Sequence, residues 1–324
     1  MHGLYMHEVT YQDYISYISK HKEIVIEDQV ISLDPINVIR LKPQEKELPP
    51  ISTTVWSFPK RGAWATHRGN YRGNWAPQIP RALILMYSEP GNVILDQMIG
   101  GGTTCIEARL LGRNCIGVDI NYNAVILTLH RLYYLEKAAR EKFKDDPIAS
   151  NINNTWSKIY HGDARNLDLV EDESIDLIAT HPPYFNIIRY GTRKERVEGD
   201  LSRTRRLEEY LKYMKEIAEE AYRVLKPGGY CGILIGDTRI RKHYVPISHY
   251  VLDVFLDTGF ILKEEVIKIQ HKMKTTREVW SRVRRRDFLL IYHEKLFIFR
   301  KPGVKEKRSR FRYSVKQDFL KISL

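Results

Sequence analysis

The segment Thr180-His181-Pro182-Pro183-Tyr184 combines residue types that could hold a planar amine. It directly follows a strand-like run from Ile175 to Ala179. Two consecutive prolines fix the backbone and remove two N–H donors, so the carbonyl groups nearby lack a local partner and can accept hydrogen bonds from an amine. The aromatic ring of Tyr184 can stack on a nucleobase, which contributes about 1–3 kcal/mol per base. The segment therefore predicts a rigid turn that binds a base.

A second candidate site is the glycine-rich turn from Asp96 to Thr104, which lies between a strand-like run and a helical pattern. Glycines here allow the backbone to approach a ligand at the carboxyl edge of a sheet, although the glycines alone would equally suit a structural turn. Asp96, Asp119 and Asp163 each follow one of three successive strands. Three carboxylates favour a cationic ligand without phosphate over a pyrophosphate. S-adenosylmethionine has both properties, so the pattern favours it over a dinucleotide.

Basic residues are concentrated in two stretches near the end of the chain. The formal net charge is +12. Residues 268–286 contain eight basic and one acidic residue, and residues 301–324 contain eight basic and two acidic residues. Such stretches produce a local positive field that suits phosphate backbones, although solvated tails are the alternative for the second. The predicted nucleic-acid contacts are Lys272, Lys274, Arg277, Arg282, Arg284, Arg285 and Arg286, with the loop 189–206 as a further candidate.

In their order along the chain, these motifs resemble those of the S-adenosylmethionine-dependent amino-methyltransferases of DNA, which methylate cytosine N4 or adenine N6. The turn that begins at Asp96 is similar to their cofactor motif, with Met98 in place of the usual phenylalanine. The segment 74–80 is similar to the one that closes over the methionine end of the cofactor. The resemblance implies ribose binding by Asp119 and adenine contact by Asp163. The cofactor-binding residues that it implies are Asp96, Met98, Gly100, Gly102, Thr103, Thr104, Asp119, Ile120, Asp163, Ala164, Pro77 and Gln78, and the catalytic residues are His181, Pro182, Pro183 and Tyr184.

His181 departs from the family pattern, in which the tetrapeptide opens with Ser in most cytosine enzymes and with Asp or Asn in most adenine enzymes. The methylated base therefore stays open, and the small Thr180 before it slightly favours cytosine N4. The predicted substrate is double-stranded DNA with the target base flipped, and a companion restriction endonuclease is a candidate partner. An RNA amino-methyltransferase and a catalytically silent nucleic-acid-binding module are the alternatives. A nicotinamide dehydrogenase ranks last, because it would have no use for the His-Pro-Pro-Tyr turn.

The elements that must position these residues alternate between short β-rich runs and helical patterns. The strand-like runs are 93–95, 115–118, 156–160, 175–179 and 230–235, and a crossover helix is predicted over 207–225 and ends at Lys226-Pro227-Gly228-Gly229. The pattern predicts a Rossmann-like α/β fold, with a mostly parallel sheet, helices on both faces and a terminal antiparallel strand pair from 260–269 and 288–299. The predicted organisation is an N-terminal extension over 1–50, a methyltransferase domain over 51–303 and a basic tail over 304–324.

Composition limits the class of protein further. The chain has 324 residues, of which 43% are hydrophobic and 28% charged, so it can bury a large core. No apolar run reaches the roughly 18 residues that a membrane helix needs, and the N-terminus does not resemble a secretion signal, so we expect a cytoplasmic, nucleoid-associated protein. Cys105, Cys115 and Cys231 are an odd number without a CxxC pair, which predicts free core thiols and no metal site.

Overall fold

The computed structural model describes residues 4–26, 29–48, 51–71, 73–185, 199–271 and 287–316. The strands in this part of the chain are β1 (His7–Glu8), β2 (Glu23–Ile26), β3 (Gln29–Ser32), β4 (Val55–Ser57), β5 (Val93–Asp96), β6 (Asn114–Asp119), β7 (Ser157–His161), β8 (Ile175–Thr180), β9 (Leu225–Ile235), β10 (Thr238–Ile240), β11 (His243–Val245), β12 (Ile261–Ile269) and β13 (His293–Arg300). The helices are α1 (Tyr11–Lys20), α2 (Gln78–Tyr87), α3 (Thr103–Leu110), α4 (Tyr122–Glu141), α5 (Pro147–Asn153), α6 (Leu207–Val224) and α7 (Ile247–Thr258).

One nine-stranded sheet, in the order β1-β7-β6-β5-β8-β9-β13-β12-β4, organises the fold. The central strands β7, β6, β5, β8 and β9 are parallel, and β13 pairs antiparallel with both β9 and β12. Two further two-stranded sheets join β2 to β3 and β10 to β11. The predicted fold class, with its parallel sheet and terminal antiparallel pair, is confirmed.

Helices cover both faces of the sheet because neighbouring strand residues point in opposite directions. Ile94 and Leu177 belong to one buried cluster, which α2, α3 and α4 complete, whereas Leu95 and Ile178 belong to a second cluster with α6 and α7. Strands buried on both faces read as continuous apolar runs, which is why they were recognisable in the sequence. Among the described residues, no helix has the length and apolar character needed to cross a membrane.

The N-terminal segment, predicted as an extension over residues 1–50, contributes to the main sheet and to its core. β1 pairs antiparallel with β7 and so adds an edge strand to the main sheet. Val9 and Tyr14 lie in the same buried cluster as α4, and the Tyr14 hydroxyl lies 2.8 Å from Nδ1 of His130. The C-terminal segment also returns to the sheet, since the Leu262 N–H donates to the Ser314 carbonyl at 2.8 Å. The alternating pattern of strands and helices in the sequence did not predict these contacts of the N-terminal and C-terminal segments.

Two local predictions are corrected by the structure. The residues Lys226 to Gly229, predicted as a turn that ends the helix, lie inside β9, where the register with β8 shifts between Ile175 and Leu177. Cys105 and Cys115, predicted as free thiols, form a disulfide. The turn after α3 brings their Cα atoms within 5.3 Å, a proximity that a count of cysteines does not register. Cys231 is free and buried, as predicted.

A buried glutamate anchors the segment before α2 to the core. Glu107 in α3 accepts hydrogen bonds from Trp64 Nε1 at 2.7 Å, from His67 Nε2 at 2.6 Å and from Arg81 Nη1 at 3.0 Å. Glu107, Trp64 and His67 are all buried, and burial lowers the pKa of His67 although the bonded Glu107 acts in the opposite direction. Trp64 and His67 lie in the loop before α2 and Arg81 lies in α2, so one carboxylate joins both segments to α3.

We predict that Glu107→Ala lowers the free energy of unfolding by about 3–5 kcal/mol, because it leaves buried donors and a cation without an acceptor. Glu107→Gln keeps an acceptor oxygen and should cost about half as much. Urea unfolding measures both. The matched control is Glu219→Ala, whose side chain is 55% exposed and whose loss should cost less than about 0.5 kcal/mol. Equal stability of the Glu107→Ala and Glu219→Ala variants would contradict the anchoring role.

Candidate active site

A cavity of about 320 Å³ lies at the carboxyl ends of the central strands. Parallel strands bring their carboxyl ends to one edge of a sheet, so the residues that follow β5, β6, β7 and β8 meet there. The predicted site residues that line the cavity are Asp96, Met98, Gly100, Asp119, Ile120, Asp163, Ala164, His181 and Pro183. The predicted residues that lie outside its lining are Pro77, Gln78, Gly102, Thr103, Thr104, Pro182 and Tyr184.

Asp96, at the end of β5, is held by three local donors. Its Oδ2 accepts from the Thr104 hydroxyl at 2.5 Å, and its Oδ1 accepts from the Thr180 hydroxyl at 2.9 Å and from the Met98 N–H at 3.1 Å. Burial raises the pKa of Asp96 to about 6, although these donors act in the opposite direction. The carboxylate therefore ties together the glycine turn and the strand that leads to His181.

Two glycines of the turn have left-handed backbone conformations, with φ of +52° at Gly100 and +80° at Gly102. A Cβ at Gly100 would lie 3.1 Å from the ring of Tyr71, and one at Gly102 would lie 3.1 Å from Thr128. Gly102 also precedes the first residue of α3. Both the backbone conformation and the close neighbours therefore favour glycine at these two positions, and Gly100 brings the main chain against the cavity.

Asp119, at the end of β6, is the carboxylate whose charge is most strongly disfavoured. Burial raises its pKa to about 7, and the Asn121 and Gly100 N–H groups, which donate at 2.9 and 2.8 Å, act in the opposite direction. The nearby charges of Asp96 and Asp200 raise the pKa further. A carboxylate with two oxygens can accept about four hydrogen bonds, so Asp119 retains acceptor capacity toward a ligand.

Asp163 lines the cavity but is occupied by an ion pair that the sequence did not reveal. Arg165 Nη2 lies 2.6 Å from Asp163 Oδ2, and Arg165 Nε lies 3.0 Å from the same oxygen. The side chains of both residues are less than 10% exposed. The ion pair offsets the charge of Asp163, so Asp163 contributes less negative charge to the cavity than the sequence pattern suggested. Asp200, in a segment taken from sequence as a nucleic-acid loop, supplies a further carboxylate to the lining.

A strap, residues 64–71 and 73–75, forms another wall of the cavity through Tyr71, Asn74 and Trp75. The Thr103 hydroxyl donates to Asn74 Oδ1, and Arg131 Nη1 donates to the Gly101 carbonyl. Arg131 Nη2 also donates to Asn70 Oδ1 at 2.7 Å, and so joins the strap to the glycine turn.

Pro77 and Gln78, predicted to close over the cofactor, do not reach the cavity. Pro77 precedes the first turn of α2, and Gln78 is buried against other loops. Gln78 Oε1 accepts from the Gly62 N–H at 3.2 Å, and Gln78 Nε2 donates to the Lys60 carbonyl at 3.0 Å. These local bonds explain the difference, because the side chain turns toward the preceding loop.

Gln97 is a cavity residue that the sequence reasoning missed. Its Nε2 lies 3.4 Å from the carbonyl oxygens of Ala164 and Ile217, which fixes the amide orientation because both neighbours are acceptors. Its Oε1 is buried and has no hydrogen-bond partner among the described residues. An unpaired buried acceptor in a cavity wall suits a ligand N–H donor. Its place beside Asp96 in the glycine turn was the signal available in the sequence.

The His-Pro-Pro-Tyr turn is held by charged residues of the antiparallel strands. The His181 Nε2 lies 2.7 Å from the Tyr184 hydroxyl, which donates to Glu294 Oε1 at 2.6 Å. Glu294 Oε2 in turn accepts from Lys268 Nζ at 2.8 Å. Burial opposes ionisation of Glu294, yet Lys268 and its other neighbours hold its pKa below the usual range. The Tyr184 hydroxyl gives its one hydrogen to Glu294, and the His181 ring contacts both the Tyr184 oxygen and the backbone of Gly73.

The imidazole of His181 is neutral at physiological pH. Burial lowers the pKa of His181 to about 4, with Lys268 acting in the same direction and Glu294 against it. Its ring stacks on Trp75 with the centroids 5.7 Å apart. The predicted nucleic-acid contacts Lys272, Lys274, Arg277, Arg282, Arg284, Arg285 and Arg286 all lie outside the described residues.

Comparison with known proteins identifies the class of this site. The family model described as DNA methylase, of the N6 and N4 type, matches residues 9–129 and 175–321. The Type II methyltransferase M.BglII of Bacillus subtilis is 33% identical over 119 residues, which are 35% of this chain and 29% of that protein. The Type II methyltransferase M.MjaI of Methanocaldococcus jannaschii is 31% identical over 129 residues, which are 33% of this chain and 43% of that protein.

A further relative is named as a methyltransferase of tRNA. The tRNA (guanine(10)-N2)-dimethyltransferase of Methanothermobacter thermautotrophicus is 27% identical over 206 residues, which are 63% of this chain and 48% of that protein. The crystal structure of TrmN from Thermus thermophilus aligns with a TM-score of 0.39 at 19% identity, over 71% of this chain and 50% of that one. The chain thus spans less than half the length of the curated relatives described here. The family match nevertheless covers most of the chain, which therefore belongs to the N6/N4 DNA methylases and uses S-adenosylmethionine as its cofactor.

Proposed function

We propose that this chain transfers a methyl group from S-adenosylmethionine to the exocyclic amine of a base flipped out of double-stranded DNA, with cytosine N4 preferred over adenine N6. The observation that carries the proposal is that His181 and Pro183 line the same cavity as Asp96 and Asp119. A site that favours a cationic cofactor thus adjoins a turn suited to an amine.

The residues of the cavity fit the cofactor. S-adenosylmethionine supplies an electrophilic methyl group on a cationic sulfonium. We assign the ribose hydroxyls to Asp119 and an adenine amino proton to the unpaired Gln97 Oε1, because Asp163 is already paired with Arg165. Asp96 orients the glycine turn through its three donors. The carboxylates of Asp96 and Asp119 favour a cationic ligand over a phosphorylated one, whereas Asp200 is paired with Arg203 at 3.2 Å.

For the target amine, we assign the two acceptors to the Pro182 carbonyl and the His181 side chain. Within the described residues nothing donates to the Pro182 carbonyl, whereas the Pro183 carbonyl accepts from the Tyr210 hydroxyl at 3.1 Å. Two acceptors would draw the amine nitrogen toward a tetrahedral geometry and expose its lone pair for attack in line. With a pKa of about 4, His181 is a hydrogen-bond acceptor or an orienting group and not a general base near neutral pH.

The methylated base is decided by one experiment. Genomic DNA from a host that expresses the chain is digested, and its nucleosides are separated by mass. We expect N4-methylcytosine, and N6-methyladenine alone would overturn the preference for cytosine while leaving amine methylation in place. A His181→Ala variant is the control, because it removes the candidate acceptor and retains the glycine turn.

RNA is the second candidate substrate. The tRNA (guanine(10)-N2)-dimethyltransferase described above aligns with 63% of this chain, a larger share than either Type II methyltransferase. Transfer of labelled methyl groups to duplex DNA and to structured RNA, measured side by side, separates the two. Transfer to RNA alone would overturn the proposal for DNA.

The raised pKa of Asp119 predicts a pH dependence of cofactor binding. Burial raises the pKa of Asp119 above its value in the unfolded chain, so the contribution of the protonated form to stability is full below about pH 4 and is lost as the pH rises through about 7. A cation binds the ionised form better, so calorimetry should show cofactor affinity rising up to about ten-fold from about pH 6 to about pH 8. Asp119→Asn should bind weakly and lose most of this dependence. Asp145→Asn, an exposed carboxylate far from the cavity, is the control, and a flat profile in the unaltered protein would contradict the assignment.

Tyr184 provides the test of base stacking. We expect Tyr184→Ala to lower kcat about ten- to hundred-fold while cofactor affinity is unchanged, because stacking on a base is worth about 1–3 kcal/mol. Tyr184→Phe keeps the ring and loses the hydroxyl that joins His181 to Glu294, so its loss should be smaller. Single-turnover methyl transfer and cofactor titration measure the two effects. Unchanged turnover in Tyr184→Ala would refute the role.

A further inference from the structure

A short exposed hairpin follows β9 and is made of β10 and β11, residues 238–245. Thr238 pairs with Val245 and Ile240 with His243, so the loop consists of Arg241 and Lys242 alone. Both loop residues have left-handed backbone conformations, with φ of +49° and +70°. A two-residue loop with positive φ at both positions is the type I′ turn that fits the twist of a hairpin. We call residues 238–245 the basic hairpin.

The residues at its tip are unfavourable for that turn. Type I′ turns strongly prefer Asn-Gly, because other side chains are strained at positive φ. Arg241 and Lys242 are both long, charged and exposed, and neither relieves the strain in the way that glycine does. Backbone strain of this kind persists where the surrounding structure imposes it, and it is concentrated at functional sites. The two positive φ values at an exposed, charged tip therefore indicate a functional surface.

The basic hairpin lies beside the catalytic turn. β9 runs parallel to β8, with Ile233 opposite Thr180, so both strands end at the same sheet edge. Gly236, the residue after β9, is in contact with the ring of Tyr184. Methylation of a base in a duplex would therefore bring the nucleic-acid backbone close to the root of the hairpin.

The hairpin is held firmly in this position. The Ser248 N–H and hydroxyl donate to Asp237 at 2.7 and 2.9 Å, and the Tyr244 hydroxyl also donates to Asp237. Arg239 Nη2 donates to the Leu289 carbonyl at 2.7 Å. Arg239 therefore fastens the hairpin to the segment that follows the basic stretch 272–286.

The charge of the hairpin suits a phosphate backbone. Residues 238–245 contain three basic residues and no acidic one. Arg241 and Lys242 are exposed, and Lys242 has an ion-pair contact of 3.4 Å with the exposed Asp287. An exposed ion pair of this kind contributes little to stability, so Lys242 can exchange Asp287 for a phosphate group.

We propose that the basic hairpin binds the phosphate backbone of duplex DNA next to the target base, through Arg241 and Lys242. This inference rests on the proposed function, since it assumes a DNA duplex at the catalytic edge. It adds Arg241 and Lys242 to the nucleic-acid contacts predicted from the sequence.

The test is the double variant Arg241→Asn with Lys242→Gly in the full chain, which installs the preferred type I′ pair and removes two charges. Binding to a mixed-sequence duplex is measured by fluorescence anisotropy between about 50 and 200 mM salt. We expect the log-log salt slope to fall by about 2, and affinity to fall about ten-fold at the higher salt. The Tm should rise by about 2 °C, because the strain is relieved. If the hairpin had only a structural role, a variant with a higher Tm would not bind DNA more weakly.

The matched control is Lys137→Ala with Lys144→Ala, which removes two exposed charges near the end of α4, away from the catalytic edge. It should leave the salt slope as in the unaltered protein. A hairpin variant with the slope of the unaltered protein would overturn the inference while methyl transfer to DNA by the unaltered chain continues. A slope that falls for structured RNA and not for the duplex would overturn it too. If the unaltered chain transfers no methyl group to DNA, the proposed function fails and the inference with it.

Discussion

Two adjacent carboxylates in a partly closed cavity are the constraint on which the rest of the site depends. Asp96 and Asp119 end neighbouring parallel strands, and burial raises their pKa values to about 6 and about 7. The chain stabilises them with hydroxyl groups and main-chain N–H groups, and no described basic side chain forms an ion pair with either. Local dipoles hold a carboxylate in place without cancelling its charge, whereas an arginine would cancel it. The cavity therefore keeps the negative character that a sulfonium needs.

Asp163, which follows β7, differs from Asp96 and Asp119 because it is paired with a basic side chain. It is held by Arg165, and their ion pair is buried beneath the segment that contains Gly199 and Asp200. A carboxylate in such a pair serves chiefly to fix the backbone, and removing one partner would leave the other charge uncompensated. The cavity thus combines carboxylates that retain charge for a ligand with one whose charge supports the wall. Gln97, which carries no charge, is then the group suited to a neutral amine.

Much of the fold could be predicted from the sequence, because strands buried on both faces are continuous apolar runs and the residues that follow them must share one edge. The sequence pattern predicts Asp96, Asp119 and His181 at one sheet edge, and all three line the cavity. It could not place Gln78, whose partners lie in the loops before α2, or the disulfide of Cys105, which depends on the turn after α3. It also separated residues 1–50 from the core, since a two-residue edge strand leaves no periodic pattern. A pattern over a short stretch of sequence contains no information about contacts with segments that are distant in the chain.

The antiparallel end of the sheet holds His181, which stands where the family pattern has Ser, Asp or Asn. His181 directly follows β8, and β13 carries Glu294, whose cross-strand neighbour on β12 is Lys268. Lys268 keeps Glu294 ionised, ionised Glu294 takes the hydrogen of Tyr184, and the Tyr184 oxygen then orients the imidazole. A neutral imidazole has two tautomers, and a bond made to one nitrogen selects between them. The strands beyond β9 therefore do more than extend the sheet, because they fix the orientation of His181 in the cavity wall.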